Sequence, residues 1–155
     1  MDNSGIIRRF YTAFSNHDAA GMAECYHPEV EFCDPAFGIL KGEQVKSMWE
    51  MLISRSNGNL KVSFANIASD ADTCSADWTA EYVFSKTGRK VLNRVNAKFR
   101  FKDGLIIYHL DNFDFWKWSQ QALGVTGFLF GWTPLLRNKV RKQAGAALEK
   151  YSASN

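Results

Sequence analysis

Three side chains in this sequence have the types and the spacing to move protons. Asp34 stands at the end of a strand-like segment, immediately before Pro35, while His109 and Asp111 lie two positions apart in an apolar run from Leu105 to Phe115. On a strand the i, i+2 spacing turns both side chains to one face, about 6 to 7 Å apart along the chain. Ionisable groups on an inward face are costly unless they are paired or used, so His109 and Asp111 are either a mutual structural pair or acid/base groups. Asp34 has a plainer role available, because aspartate before proline often closes a turn through its own backbone.

The elements that must position these groups follow from hydrophobic spacing. Ile6, Ile7, Phe10, Tyr11 and Phe14 recur at helical intervals and predict a first helix ending near Asn16. Asp18 caps a second, short helix carrying Met22, Cys25 and Tyr26, which Pro28 stops. Val30, Phe32 and the Asp34-Pro35 turn make a short strand, and Gly42 opens a third helix with Val45, Met48, Trp49 and Leu52 on one face.

Beyond Asn57-Gly58 the period falls to two. Leu60, Val62 and Phe64, then Trp78, Ala80, Tyr82 and Phe84, then Val95, Ala97, Phe99 and Phe101 alternate with mostly polar neighbours, which predicts half-buried antiparallel strands. Gly88 and Asp103-Gly104 supply the turns. The last strand, 105–115, puts Ile107, His109, Asp111, Phe113 and Phe115 on one face and is apolar on both, so helices cover one side and a second subunit or the C-terminal segment the other.

After Trp116 the pattern reads as a short helix to Leu123, a glycine-spaced apolar link from Gly124 to Gly131, and a final helix that Thr133 caps and Pro134 begins. Leu136, Val140, Ala144, Ala147 and Tyr151 form its docking stripe. Trp116, Trp118, Phe128, Phe130 and Trp132 are expected to pack beneath this segment. The domain is therefore 1–116, with 117–155 as a helical extension packed on it.

Bulk properties narrow the partners. With 155 residues, 46% of them apolar, the chain can bury one substantial core. From Arg137 onward five basic residues face one acid, which reads as a solvated helix face, so neither nucleic acid nor membrane is expected as a partner. No window holds 18 consecutive apolar residues, and Cys25, Cys33 and Cys74 lack metal-ligand spacing, so a soluble cytoplasmic protein with free thiols and no metal is expected. No phosphate loop or dinucleotide fingerprint is present, and no cofactor is expected.

Three stretches carry a family resemblance: Phe10-Tyr11-Thr12-Ala13-Phe14 to Asp18, Tyr26-His27-Pro28 to Asp34-Pro35, and Phe99 to Asp103-Gly104 leading into His109 to Asp114. Together they resemble the SnoaL-like and ketosteroid-isomerase-like branch of the nuclear transport factor 2 superfamily. The resemblance implies an α+β cone, in which a curved antiparallel sheet packs against three N-terminal helices and encloses an apolar pocket. It also implies that Asp34 is a general base and that Asp111, with His109, serves as acid/base. The oxyanion-stabilising tyrosine and carboxylic acid of ketosteroid isomerases fall here on Phe10 and Ala97, so steroid isomerisation itself is not implied.

The expected ligand is a small hydrophobic molecule held by Tyr11, Trp49, Trp78, Tyr82 and Phe99. Two functions fit: a cofactor-free isomerase, cyclase or hydratase, or a non-catalytic ligand-binding or assembly domain. A homodimer is expected through the outer sheet face, where Arg94, Asn96, Lys98 and Arg100 adjoin Ile106, Tyr108 and Leu110.

Overall fold

A computed structural model describes residues 2–154. Helix α1 (Asn3–Ser15) begins where the Asp2 carboxylate accepts from the Gly5 N–H, and α2 (Ala19–Ala23) begins where Asp18 accepts from Gly21. Strands β1 (Tyr26–Asp34) and β2 (Gly38–Lys41) form a hairpin, followed by α3 (Glu43–Arg55). The meander β3 (Lys61–Ser69), β4 (Thr73–Phe84), β5 (Arg89–Lys102) and β6 (Leu105–Asn112) comes next. Three helices finish the chain: α4 (Phe115–Leu123), α5 (Val125–Phe130) and α6 (Pro134–Ser154).

One six-stranded sheet runs in the order β2-β1-β6-β5-β4-β3. The curved sheet is antiparallel as expected except at one junction, where β1 pairs with β6 in parallel, Phe32 opposite His109 and Cys33 opposite Leu110. Period-two alternation reports which face a residue takes but not which strand lies beside it, so this pairing is invisible in the sequence.

Burial follows the alternation closely on β5: Val91, Val95, Ala97 and Phe99 are buried while Arg94, Asn96, Lys98 and Arg100 are exposed. On β6 a register shift between Arg100 and Phe101 changes the phase, so Ile106, not Ile107, is the enclosed residue. The strand ends at Asn112, and Asp114 caps α4 by accepting from Lys117 N–H, so Phe115 belongs to a helix rather than to the strand.

The main core joins α1, α3 and the concave sheet face, with Phe10, Tyr11, Phe32, Trp49, Trp78 and Phe99 at its centre. A smaller cluster of Val91, Phe115, Trp118 and Ala122 sits under α4, and half-buried Tyr82 and Phe113 touch both clusters. Helix α6 is capped by the Thr133 hydroxyl, which accepts from Leu136 N–H, and it lays Leu148, Ala147 and Tyr151 against the main core. The expected link 124–131 is in fact α5, and Phe128, Phe130 and Trp132 are exposed rather than packed beneath the C-terminal segment.

Candidate functional site

His109 and Asp111 face inward side by side, as their spacing requires, and are among the few enclosed polar residues. His109 Nε2 lies 2.9 Å from Asp111 Oδ1. On its other side, His109 Nδ1 lies 2.8 Å from Tyr26 Oη, and Trp49 Nε1 is 2.8 Å from the same hydroxyl. An indole N–H can only donate. Trp49 therefore donates to Tyr26, whose own proton is left for His109 Nδ1; the ring's proton is then on Nε2 and goes to Asp111. Trp78 Nε1 also donates to Asp111 Oδ1, at 3.2 Å.

The surroundings of this chain of bonds are aromatic. Phe99 and Phe32 approach the His109 ring to centroid distances of 4.4 and 5.0 Å, and Phe10 and Trp49 to 5.6 and 6.1 Å. His109 is 0% exposed, so it reaches the outside only through its hydrogen-bond partners. Asp111 retains 2% exposure, and both of its bonds fall on Oδ1. Among the described residues Tyr11 Oη is the fully enclosed side-chain polar atom with no hydrogen bond, so Asp111 Oδ2, which accepts none either, is not sealed. Burial, with the nearby Asp111 charge second, holds the Tyr11 phenol well above its ordinary pKa.

Asp34 occupies the end of β1, where Oδ1 accepts from the backbone N–H groups of Ala36 (2.9 Å) and Phe37 (2.6 Å). The turn role is thus present. Yet its carboxyl is pushed up from 3.8 to about 7: loss of solvation is the largest cause, opposed by the Phe37 and Ala36 N–H groups and reinforced by Asp111. Tyr82, which accepts from Trp118 Nε1 at 2.8 Å, is raised to about 12 by burial and senses the Asp34 charge. Asp34, Tyr82 and Phe37 are half-buried and make a rim, and Arg141 of α6 reaches the same place, against Gly38.

The site therefore has two ends. Asp111, His109, Tyr11, Trp49, Trp78 and Phe99 converge in the interior; Asp34 and Tyr82 stand at the rim, where Asp34 interacts with Asp111 and with Tyr82 only through space. Rings crowd the interior end around His109. Two surface concavities, of about 640 Å³ beside α1 and α2 and about 540 Å³ beside β3 to β6, are lined by neither Asp34, His109 nor Asp111. Sequence reasoning missed Tyr26 by placing it in α2. The restriction that Pro28 puts on its predecessor was a signal that His27 is extended, one residue from Tyr26. Arg141 and Trp118 gave no local signal at all.

No cluster of three or more histidine, cysteine, aspartate or glutamate side chains suited to a metal occurs among the described residues. The three cysteines are free.

A mixed, curved sheet closed over by N-terminal helices, with polar groups at the bottom of an aromatic interior, defines the nuclear-transport-factor-2-like class. Within it the chain belongs to the SnoaL-like domain family, which matches residues 7–109. No curated protein sequence matches the chain. Among solved structures it is similar to a protein from a soil-derived mobile gene cassette (20% identity, TM-score 0.68, 77% of this chain and 95% of that one). It is also similar to a putative polyketide cyclase from Pseudomonas putida (16% identity, TM-score 0.63, 79% and 98%). A third is an LEH-like epoxide hydrolase from M. tuberculosis (19% identity, TM-score 0.60, 81% and 92%). At these identities the likeness is one of fold.

Proposed function

We propose that the chain is a cofactor-free acid/base enzyme, an isomerase, cyclase or hydratase acting on a small hydrophobic carbonyl or polycyclic compound. The observation that carries this reading is the pair of unpartnered oxygens in one aromatic interior, Asp111 Oδ2 and Tyr11 Oη. A buried phenol without a partner costs stability and is retained where a ligand atom completes it. In this scheme Asp111 Oδ2 takes a proton from carbon or from water, and the Tyr11 hydroxyl donates to the substrate oxygen on which negative charge gathers. His109 and Tyr26 are positioning residues that hold Asp111 through Oδ1. Asp34, near half-protonated at neutral pH, exchanges a proton at the rim. Trp49, Trp78, Tyr82 and Phe99 shape the walls. Structures described as a putative polyketide cyclase and an LEH-like epoxide hydrolase have the same fold, which supports this chemistry being accessible to it.

Deuterium exchange tests the reading. Polycyclic ketones incubated with the protein in heavy water are followed by NMR for exchange at carbon next to the carbonyl. Exchange by the wild type that drops at least a hundredfold in Asp111→Asn supports it; equal rates in both proteins sink it. The second reading, a non-catalytic domain, is favoured by the ring-filled surroundings of His109 and gains if no exchange occurs while a bound small molecule is found by native mass spectrometry. A homodimer through the exposed Arg94, Asn96, Lys98 and Arg100 face, in a reducing cytoplasm suited to three free thiols, completes the proposal; a concentration-independent monomer in sedimentation would refute the dimer.

A further inference from the structure

Helix α5 is built inside out. Its inward face is glycine: a Cβ at Gly127 would overlap the Ser119 carbonyl oxygen, and one at Gly131 would overlap the Ser119 hydroxyl. Ser119 Oγ in turn donates to the carbonyl of Trp116 or of Gly127, which fixes α5 tightly on α4. With the small residues turned in, the large ones are turned out. Val125 is 74% exposed, Trp132 68% and Leu135 81%, and Phe128, Leu129 and Phe130 are each about half exposed. Scattered apolar residues on a surface are ordinary, but a contiguous rigid set marks an interaction site.

The polar atoms of this surface are already satisfied. Trp116 Nε1 donates to the Phe128 carbonyl at 3.1 Å and Trp132 Nε1 to the Leu129 carbonyl at 3.0 Å, so both indoles can leave water without stranding a donor. Beyond it lies positive charge. Leu135, Lys139 and Lys142 are spaced i, i+4, i+7 on one stripe of α6, all exposed, and from Phe115 to Leu148 the chain has five basic residues and no acid.

We infer that α5 and the start of α6 form a membrane-surface site, with Val125, Phe128, Phe130 and Trp132 entering the headgroup boundary of a bilayer and Lys139 and Lys142 meeting anionic lipid. This departs from the sequence expectation of no membrane partner. Among the described residues no helix is long and apolar enough to cross a membrane, but lying on one requires only an exposed apolar face beside basic residues. A second copy of the chain is the poorer occupant. A two-fold contact through this patch would set basic residues against basic residues with no acid in the segment to pair them.

Co-sedimentation of the full chain with phosphatidylcholine vesicles, with and without phosphatidylglycerol, tests the inference. Binding is expected to the anionic vesicles only and to fall in high salt. Each of Lys139→Gln and Lys142→Gln should weaken it roughly fivefold, and the triple variant Phe128→Ser, Phe130→Ser, Trp132→Ser should abolish it. All five side chains are exposed, so circular dichroism should be unchanged. No binding to anionic vesicles, or equal and salt-insensitive binding to neutral ones, overturns the inference. So does light scattering in which the triple variant turns a dimer into a monomer while vesicle binding is absent.

Discussion

The interior around His109 and the surface of α5 both invert the ordinary distribution of polar and apolar groups, and they differ in what compensates the inversion. Inside, Tyr26, His109 and Asp111 are polar groups among rings, and each is held by hydrogen bonds of 2.8 to 3.2 Å from within the chain. On α5 the large apolar side chains face solvent: Val125 and Trp132 are mostly exposed, and Phe128, stacked on Trp116, keeps about half of its surface open. A departure completed internally belongs to the fold. One left incomplete, as at Tyr11 Oη and on the surface of α5, is where the proposals above place a ligand and a membrane.

The comparison breaks most visibly if the interior bonds contribute little. His109→Phe keeps the ring shape but leaves the Asp111 carboxylate with only the Trp78 donor, and should cost about 2–3 kcal/mol in urea unfolding. A loss under about 1 kcal/mol would mean that Asp111 is not held by this pair.

At the rim the sign depends on pH. Asp34 has a folded value near 7 against an ordinary 3.8, so its contribution to stability is complete below the ordinary value and is lost as pH rises through about 7. Asp34→Asn should therefore gain on wild type progressively between about pH 4 and pH 7, being more stable at pH 8 and no more stable at pH 3. The shift bounds the gain at roughly 4 kcal/mol, and solvent at the half-buried rim lowers it to roughly 2. A difference independent of pH would show that Asp34 is ionised throughout.

Tyr11→Phe sharpens the contrast between a used and an idle phenol. Removing an unpartnered hydroxyl should leave stability unchanged or raise it by about 1 kcal/mol, while slowing the exchange reaction at least tenfold. A destabilised variant would reveal a partner that Tyr11 already has. The smallest effect is expected on α5, where Phe128→Ser with Phe130→Ser should shift stability by no more than about 0.5 kcal/mol per site; a larger loss would make those side chains part of the packing.

Sequence patterning reached the inner site further than the outer one. His109 and Asp111 were legible because strand alternation fixes a face, and Asp34 because Asp-Pro marks a strand end. Tyr26 was not, because a helix cap at Asp18 and apolar residues at 22, 25 and 26 satisfy helical spacing while the chain turns extended after Ala23. The parallel β1–β6 pairing and the phase change at Ile106 depend on neighbours distant in sequence. The orientation of α5 was illegible for a different reason. Periodicity finds the apolar face of a helix and assumes that it is buried, and only the fit of Gly127 against Ser119 reveals the opposite.

The place of β6 in the sheet has a consequence for how the chain comes to be folded during its synthesis. Its neighbours are β1 on one side and β5 on the other, so the N-terminal hairpin and the central meander are hydrogen-bonded into one sheet through the strand made last. Tyr26 leaves the ribosome 83 residues ahead of His109, and the edge of β1 that will receive residues 106–110 has no partner during that interval. Until then two unpaired strand edges are open to other nascent chains. Holding factors that act on the growing polypeptide would find their target in that interval, and once residues 105–112 emerge the edges and the aromatic interior close in the same event.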